Sequence, residues 1–172
     1  ASMNFQLARY LVPEAYAAVL SDVSVQLETG LVFSACGQAL DRSGFSSNRA
    51  HRLAARDASA PVEVPDLETA ACIWSTHGSR NYYHWMVDTL PRTYGICSMA
   101  PRDCAMIAPE ALRSYQQETM GLFLPAEMQV VRRPSAAIQH VNELVFATSV
   151  TGSMSGYIPK PYLDHIRGCA FR

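Results

Sequence analysis

Long apolar runs, an excess of one charge and paired cysteines are all lacking in this sequence. No stretch approaches the roughly 18 to 20 consecutive apolar residues that a membrane-spanning helix needs, so no span is expected. Charged residues make up 17% of the chain and the net charge is -1, which leaves no field to draw in nucleic acid or an anionic membrane. Cys36, Cys72, Cys97, Cys104 and Cys169 are odd in number, widely spaced and form no CxxC, which argues against a zinc ribbon and a disulfide framework and for reduced thiols. The opening ASMNFQLARYL has no basic start, apolar stretch and small-residue cleavage site in succession, so a cytoplasmic protein is expected. GxSxG, a Walker loop and GxGxxG are also missing, so the common hydrolase and nucleotide-loop signatures do not apply.

What is there is a chain of 172 residues, 49% of them apolar, enough for one core. A single Rossmann-like domain over residues 1–172 is expected, with 1–60 as a hairpin and irregular lead-in and 61–172 as an α/β core. After a short amphipathic start around Tyr10 to Leu20, VSVQLETGLVFSAC sets two apolar runs around ETG and predicts a hairpin. Residues 41–60, rich in Ser, Arg, Ala and Asp, predict an exposed irregular connection with one helical turn. From Thr69 the pattern alternates: strands at TAACIWS, CAMIAP, MQVVRR and NELVFATSV; helices from Tyr82 to Cys97, over EALRSYQQETMGLF, and from Pro159 to about Arg167. In the second helix, Leu112, Tyr115, Thr119 and Leu122 recur at helical spacing, and Gly121 and Pro125 mark its end. Such alternation predicts an α/β layer with a mostly parallel sheet.

The chemistry is concentrated in NYYHWMVD, residues 81 to 88, behind the polar stretch THGSRN, which is expected to be a loop at the carboxyl end of a strand. In open α/β sheets that is where ligands bind. Asn81 suits a helix N-cap. His84 would then occupy the third helical position, with Asp88 on the same face one turn on. The positive end of the helix dipole disfavours the protonated ring, while the carboxylate orients it and stabilises the imidazolium formed on proton uptake. Tyr82, Tyr83 and Trp85 cannot all face the core, so at least one ring is expected beside the pocket, where aromatic faces suit sugars. Trp85, Met86 and Leu90 read as core. Pro91 removes the amide that would bond to Val87, so a kink or an early end is expected near Leu90. Against these stand simpler readings: a capping or core-edge role for His84, a helix-surface carboxylate for Asp88, and solvated surface cations for Arg80 and Arg92, which could also meet an anion. A metal site from His77, His84 and Asp88 matches no common ligand spacing.

NYYHWMVDTLPRTYG, preceded by a strand and a short polar segment, resembles the signature of glycosyltransferase family 61: NYYHW, two apolar residues, Asp, one residue, LPR. That family, of the DUF563 type, includes bacterial capsular polysaccharide enzymes, plant xylosyltransferases and animal protein O-linked N-acetylglucosamine transferases. The resemblance covers roughly Val23 to Arg172 and is strongest from Thr69 onward. It implies the N-terminal half of a two-domain GT-B fold. It further implies transfer of a sugar from a nucleotide-sugar cosubstrate to a glycan hydroxyl with inversion, without a resident metal or other cofactor. By position, Asn81, His84 and Asp88 match the polar members of the signature, with Arg92 after the proline. His84 would be the acceptor-side base and Asp88 its orienting partner; His77, Arg80, Asn81, Tyr82, Tyr83 and Arg92 would bind substrate. Nothing in the sequence matches the second half that holds the donor nucleotide, so the nucleotide sugar would be bound by that half and this chain alone would lack turnover. An exposed apolar patch is expected where such a half would pack.

A noncatalytic glycan-binding or assembly module built on the same segment is the alternative. An unrelated α/β hydrolase would need a nucleophile that the sequence does not display.

Overall fold

Alternation of β-branched and apolar segments with helical ones produces one mixed sheet. A computed structural model describes residues 15–40, 62, 64–151 and 158–171. Six strands, β1 (Ala17–Gln26), β2 (Leu31–Ser34), β3 (Leu67–Cys72), β4 (Ala105–Pro109), β5 (Val130–Arg133) and β6 (Ile138–Ala147), lie in the order β2-β1-β6-β3-β4-β5. The pairs β6·β3, β3·β4 and β4·β5 are parallel, whereas β1 runs antiparallel to both β2 and β6. The expected α/β class with a mostly parallel sheet is therefore what the chain forms. The hairpin of the lead-in is not a separate unit, because β1 joins the sheet through a ladder from Ala17↔Ala147 to Gln26↔Ile138. That ladder is interrupted at Asp22, which has φ 52. The expected irregular connection over 41–60 lies outside the described residues, as does the amphipathic start up to residue 14.

The core gathers the inward residues of the central strands, Val25, Ala70, Ala71, Met106, Ile107, Leu144 and Val145, against Trp74, Trp85, Leu90 and Ile96. Both tryptophans are satisfied: Trp74 Nε1 donates to Ile107 O (2.6 Å) and Trp85 Nε1 to Thr119 Oγ1 (2.9 Å). Their rings lie 5.2 Å apart. The tight turn between β1 and β2 requires glycine at position 30: its φ is 70, and a Cβ there would stand 1.9 Å from the main-chain oxygen of Trp74.

Two helices differ from expectation. THGSRN is not a loop; Thr76–Arg80 form a short helix, α1, because Ser75 caps it, its Oγ accepting from Gly78 N at 3.1 Å. The helix α4 (Ser114–Phe123) begins later than expected, at the N-cap Arg113, and passes through Gly121, around which space is open. It stops at Leu124, before Pro125, as the missing amide of proline requires. Its fully buried residues are Gln116, Met120 and Phe123. Of the expected stripe, Leu112 and Tyr115 pack partly buried against the core and Thr119 is half-buried, whereas Leu122 is exposed. The last helix, α5 (Lys160–Ala170), starts at its prolines as expected and runs three residues past Arg167.

Candidate functional site

The segment from Asn81 to Met99 changes helical type along its length. Asn81 caps it, with Oδ1 accepting from Tyr83 N (2.8 Å) and His84 N (3.4 Å). One α-helical turn, α2 (Tyr82–His84), widens into a π-helical turn over Trp85–Thr89, tightens to a 3-10 turn over Leu90–Arg92, and resumes as α3 (Thr93–Met99). Pro91 is the local cause: without an amide it cannot bond to Val87, and Leu90 N donates five residues back to Trp85 O instead. The expected irregularity near Leu90 thus takes the form of a π turn followed by a 3-10 turn.

Close packing onto α1 fixes the π turn. A Cβ at Gly78 would stand 1.9 Å from Thr89 Oγ1, so only glycine lets the two segments approach. Ser75 Oγ and Thr89 Oγ1 are 3.1 Å apart across that contact.

The turn presents His84 and Asp88 together, with Nδ1 2.6 Å from Oδ2. The Asp88 side chain is 1% exposed and that of His84 24%, so the carboxylate is the buried member and the ring the accessible one. A second partner comes from far along the chain: Thr151 Oγ1 donates to Asp88 Oδ1 at 2.5 Å, and Ser149 Oγ lies 3.3 Å from the same hydroxyl. Both residues follow β6. Sequence reasoning missed them, although a polar run just beyond an apolar strand in an open α/β sheet is where ligand-side residues collect.

Other expected site residues divide by position. His77 meets His84 edge to face, with ring centroids 5.3 Å apart, and Tyr83 meets the same ring at 5.6 Å. Tyr82 turns toward Tyr115, centroids 5.1 Å apart. Tyr82 and Tyr83 are 58% and 51% exposed while Trp85 is buried, so two rings of the three face solvent, and of these Tyr83 is the one that meets the dyad. Asn81 spends its side-chain oxygen on the cap. Arg80 is exposed and pairs with Glu28 at 3.2 Å, beside a cleft of about 170 Å³ that Ser79 and Gln116 also line.

Arg92 is not a surface cation. It is 3% exposed and donates from Nε to Ala147 O (2.7 Å) and from Nη1 to Ile73 O (3.0 Å) and Trp74 O (3.2 Å), with the guanidinium 5.4 Å from the Phe146 ring centre. Burial pulls its pKa down to about 10, still high enough to keep it charged at neutral pH. Its carbonyl partners lie at the carboxyl ends of β3 and β6, so it anchors the helical segment there, and with it the dyad. The anion-binding role expected for Arg92 does not fit a guanidinium spent on main chain.

A larger cleft, about 530 Å³, lies elsewhere, lined by Asp22, Ser24, Phe33, Ser34 and His140. It is the roomier space, but neither His84 nor Asp88 lines it, and the chemistry stays with His84. Among the described residues, no group of three or more His, Cys, Asp or Glu side chains is arranged to hold a metal ion, and no disulfide joins any of the cysteines. Nor is any described helix long and apolar enough to cross a membrane. No protein-family model, curated protein or solved structure matches this chain.

Proposed function

We propose that this chain is the acceptor-side half of an inverting glycosyltransferase similar to family 61. In this reading it adopts the first half of a GT-B fold and acts in the cytoplasm on a cell-surface polysaccharide. The observation that carries the reading is the His84–Asp88 contact of 2.6 Å, with the carboxylate buried and the ring accessible, beside exposed Tyr83 in the segment that follows β3. Buried Asp88 holds Nδ1, so Nε2 is the nitrogen that exchanges a proton with an acceptor. As the acceptor oxygen attacks the anomeric carbon, its proton passes to Nε2, and the bond to the nucleoside diphosphate breaks with the electron pair leaving on the diphosphate. Tyr82 and Tyr83 offer faces for the apolar C–H side of a pyranose. The donor nucleotide belongs to a second half, which would complete the cleft over these exposed rings.

Amide-resolved NMR titration tests this. Acceptor oligosaccharides should perturb residues 81 to 88, and nucleotide sugars should not; saturable binding of a nucleotide sugar to this chain would overturn the assignment. Supplied with its donor half, the protein should lose about 10²- to 10⁴-fold in transfer rate on His84→Ala, the usual contribution of a positioned base. Because Tyr82 and Tyr83 are exposed, a noncatalytic glycan module is the second reading. Under it, glycan binding survives His84→Ala and the protein with both halves transfers nothing.

A further inference from the structure

The proton inventory around Asp88 fixes more than the position of a carboxylate. A threonine hydroxyl carries one hydrogen, and an ionised carboxylate only accepts. Thr151 Oγ1 gives its hydrogen to Asp88 Oδ1, so at the 3.3 Å contact with Ser149 the hydroxyl of Ser149 is the donor. The chain of donation runs from Ser149 to Thr151 to Asp88. The remaining oxygen, Oδ2, faces His84 Nδ1 at 2.6 Å. An ionised carboxylate has no hydrogen of its own to give, so the hydrogen at the Oδ2 contact is assigned to the ring.

We propose that Thr151 is a positioning residue that locks neutral His84 in its Nδ1–H tautomer, leaving the Nε2 lone pair as the basic site. The inference deepens the transfer reading, in which Nε2 is the base, and rests on it for its use in catalysis; the tautomer itself can be measured without any turnover. Two features make the device effective. Asp88 is buried, so hydrogen bonds rather than water must satisfy it, and losing one donor matters. Thr151 is itself fully buried and lies 63 residues from Asp88 in sequence, so the lock ties the end of β6 to the π turn. Free histidine side chains favour Nε2–H, so the opposite tautomer is a distinctive signature.

The test is the pair of ring 15N chemical shifts of His84 at alkaline pH, in the wild type, Thr151→Val and Thr151→Ser. The wild type should show Nδ1–H. Thr151→Val, which keeps the shape and removes the donor, should move the ring toward Nε2–H with the rest of the spectrum intact. Thr151→Ser should restore the wild-type pattern. A wild-type ring in the Nε2–H form overturns the proposal outright, even if Thr151→Val fails to fold. Nδ1–H retained in a folded Thr151→Val, or lost in Thr151→Ser, overturns it equally. These results stand apart from the sugar titration: a locked tautomer with no glycan binding would sink the transferase reading and leave the lock in place.

Discussion

Arg92 shows how one side chain can serve as scaffold where the sequence suggested a ligand contact. Three main-chain carbonyls at two strand ends receive its hydrogens, and no described carboxylate pairs with it. Replacing it by methionine preserves much of the apolar stem but orphans those carbonyls, each of which then carries a desolvation penalty. Arg92→Met should therefore lower stability by about 2 to 4 kcal/mol, measurable by urea denaturation. Unchanged stability would mean that water replaces the guanidinium. From sequence, the LPR position of Arg92 was visible and its burial was not, since its partners come from Ile73, Trp74 and Ala147, 18 to 55 residues away. His84 and Asp88 were legible because their pairing is local, one helical turn apart. Thr151 stands in a polar run beyond an apolar strand, but nothing local pairs it with Asp88, 63 residues away.

At the level of elements, legibility tracked how local the cause was. The strands read clearly, since runs such as CAMIAP and NELVFATSV suit buried positions whatever surrounds them. The irregular turn at Leu90 followed from Pro91 alone. By contrast, α1 was hidden: Thr, His, Gly, Ser and Arg carry little helical signal, and it is Ser75 and the contact with Thr89 that hold the turn. Gly78 is the weak point of that contact. In Gly78→Ala the added methyl meets Thr89 Oγ1, a short branched side chain with little room to move, so either α1 or the π turn must shift. A cost of about 1 to 3 kcal/mol is expected, the usual range for overpacking. Amide exchange should speed up across 76 to 89 more than in the β1–β6 ladder; uniform acceleration would show that the two segments do not move as a unit.

Across the whole molecule, one ionisable group joins three parts of the sheet. His140 on β6 sits between Asp22 of β1, 2.9 Å from Nε2, and Asp66 just before β3, 3.4 Å from Nδ1. The bond to Asp22 first, and the Asp66 charge beside it, raise its pKa above the ordinary 6.5. A group raised on folding stabilises the native state fully below its unfolded value, and that contribution is lost as pH rises through the folded one. Stability should thus fall as pH climbs through the range just above 6.5, modestly because all three side chains are partly exposed, and less in high salt. His140→Gln should flatten that segment of the urea-midpoint profile; a slope unchanged by the substitution would assign it to another group. The two tryptophans carry a different consequence. Trp74 and Trp85 are the only ones in the chain, tilted against each other 5.2 Å apart with Trp85 next to His84 in the π turn, and neither is open to solvent. All tryptophan emission therefore originates beside the candidate site, so intrinsic fluorescence is an unlabelled optical gauge of events at His84, blue-edged in the native state and red-shifted once the core opens.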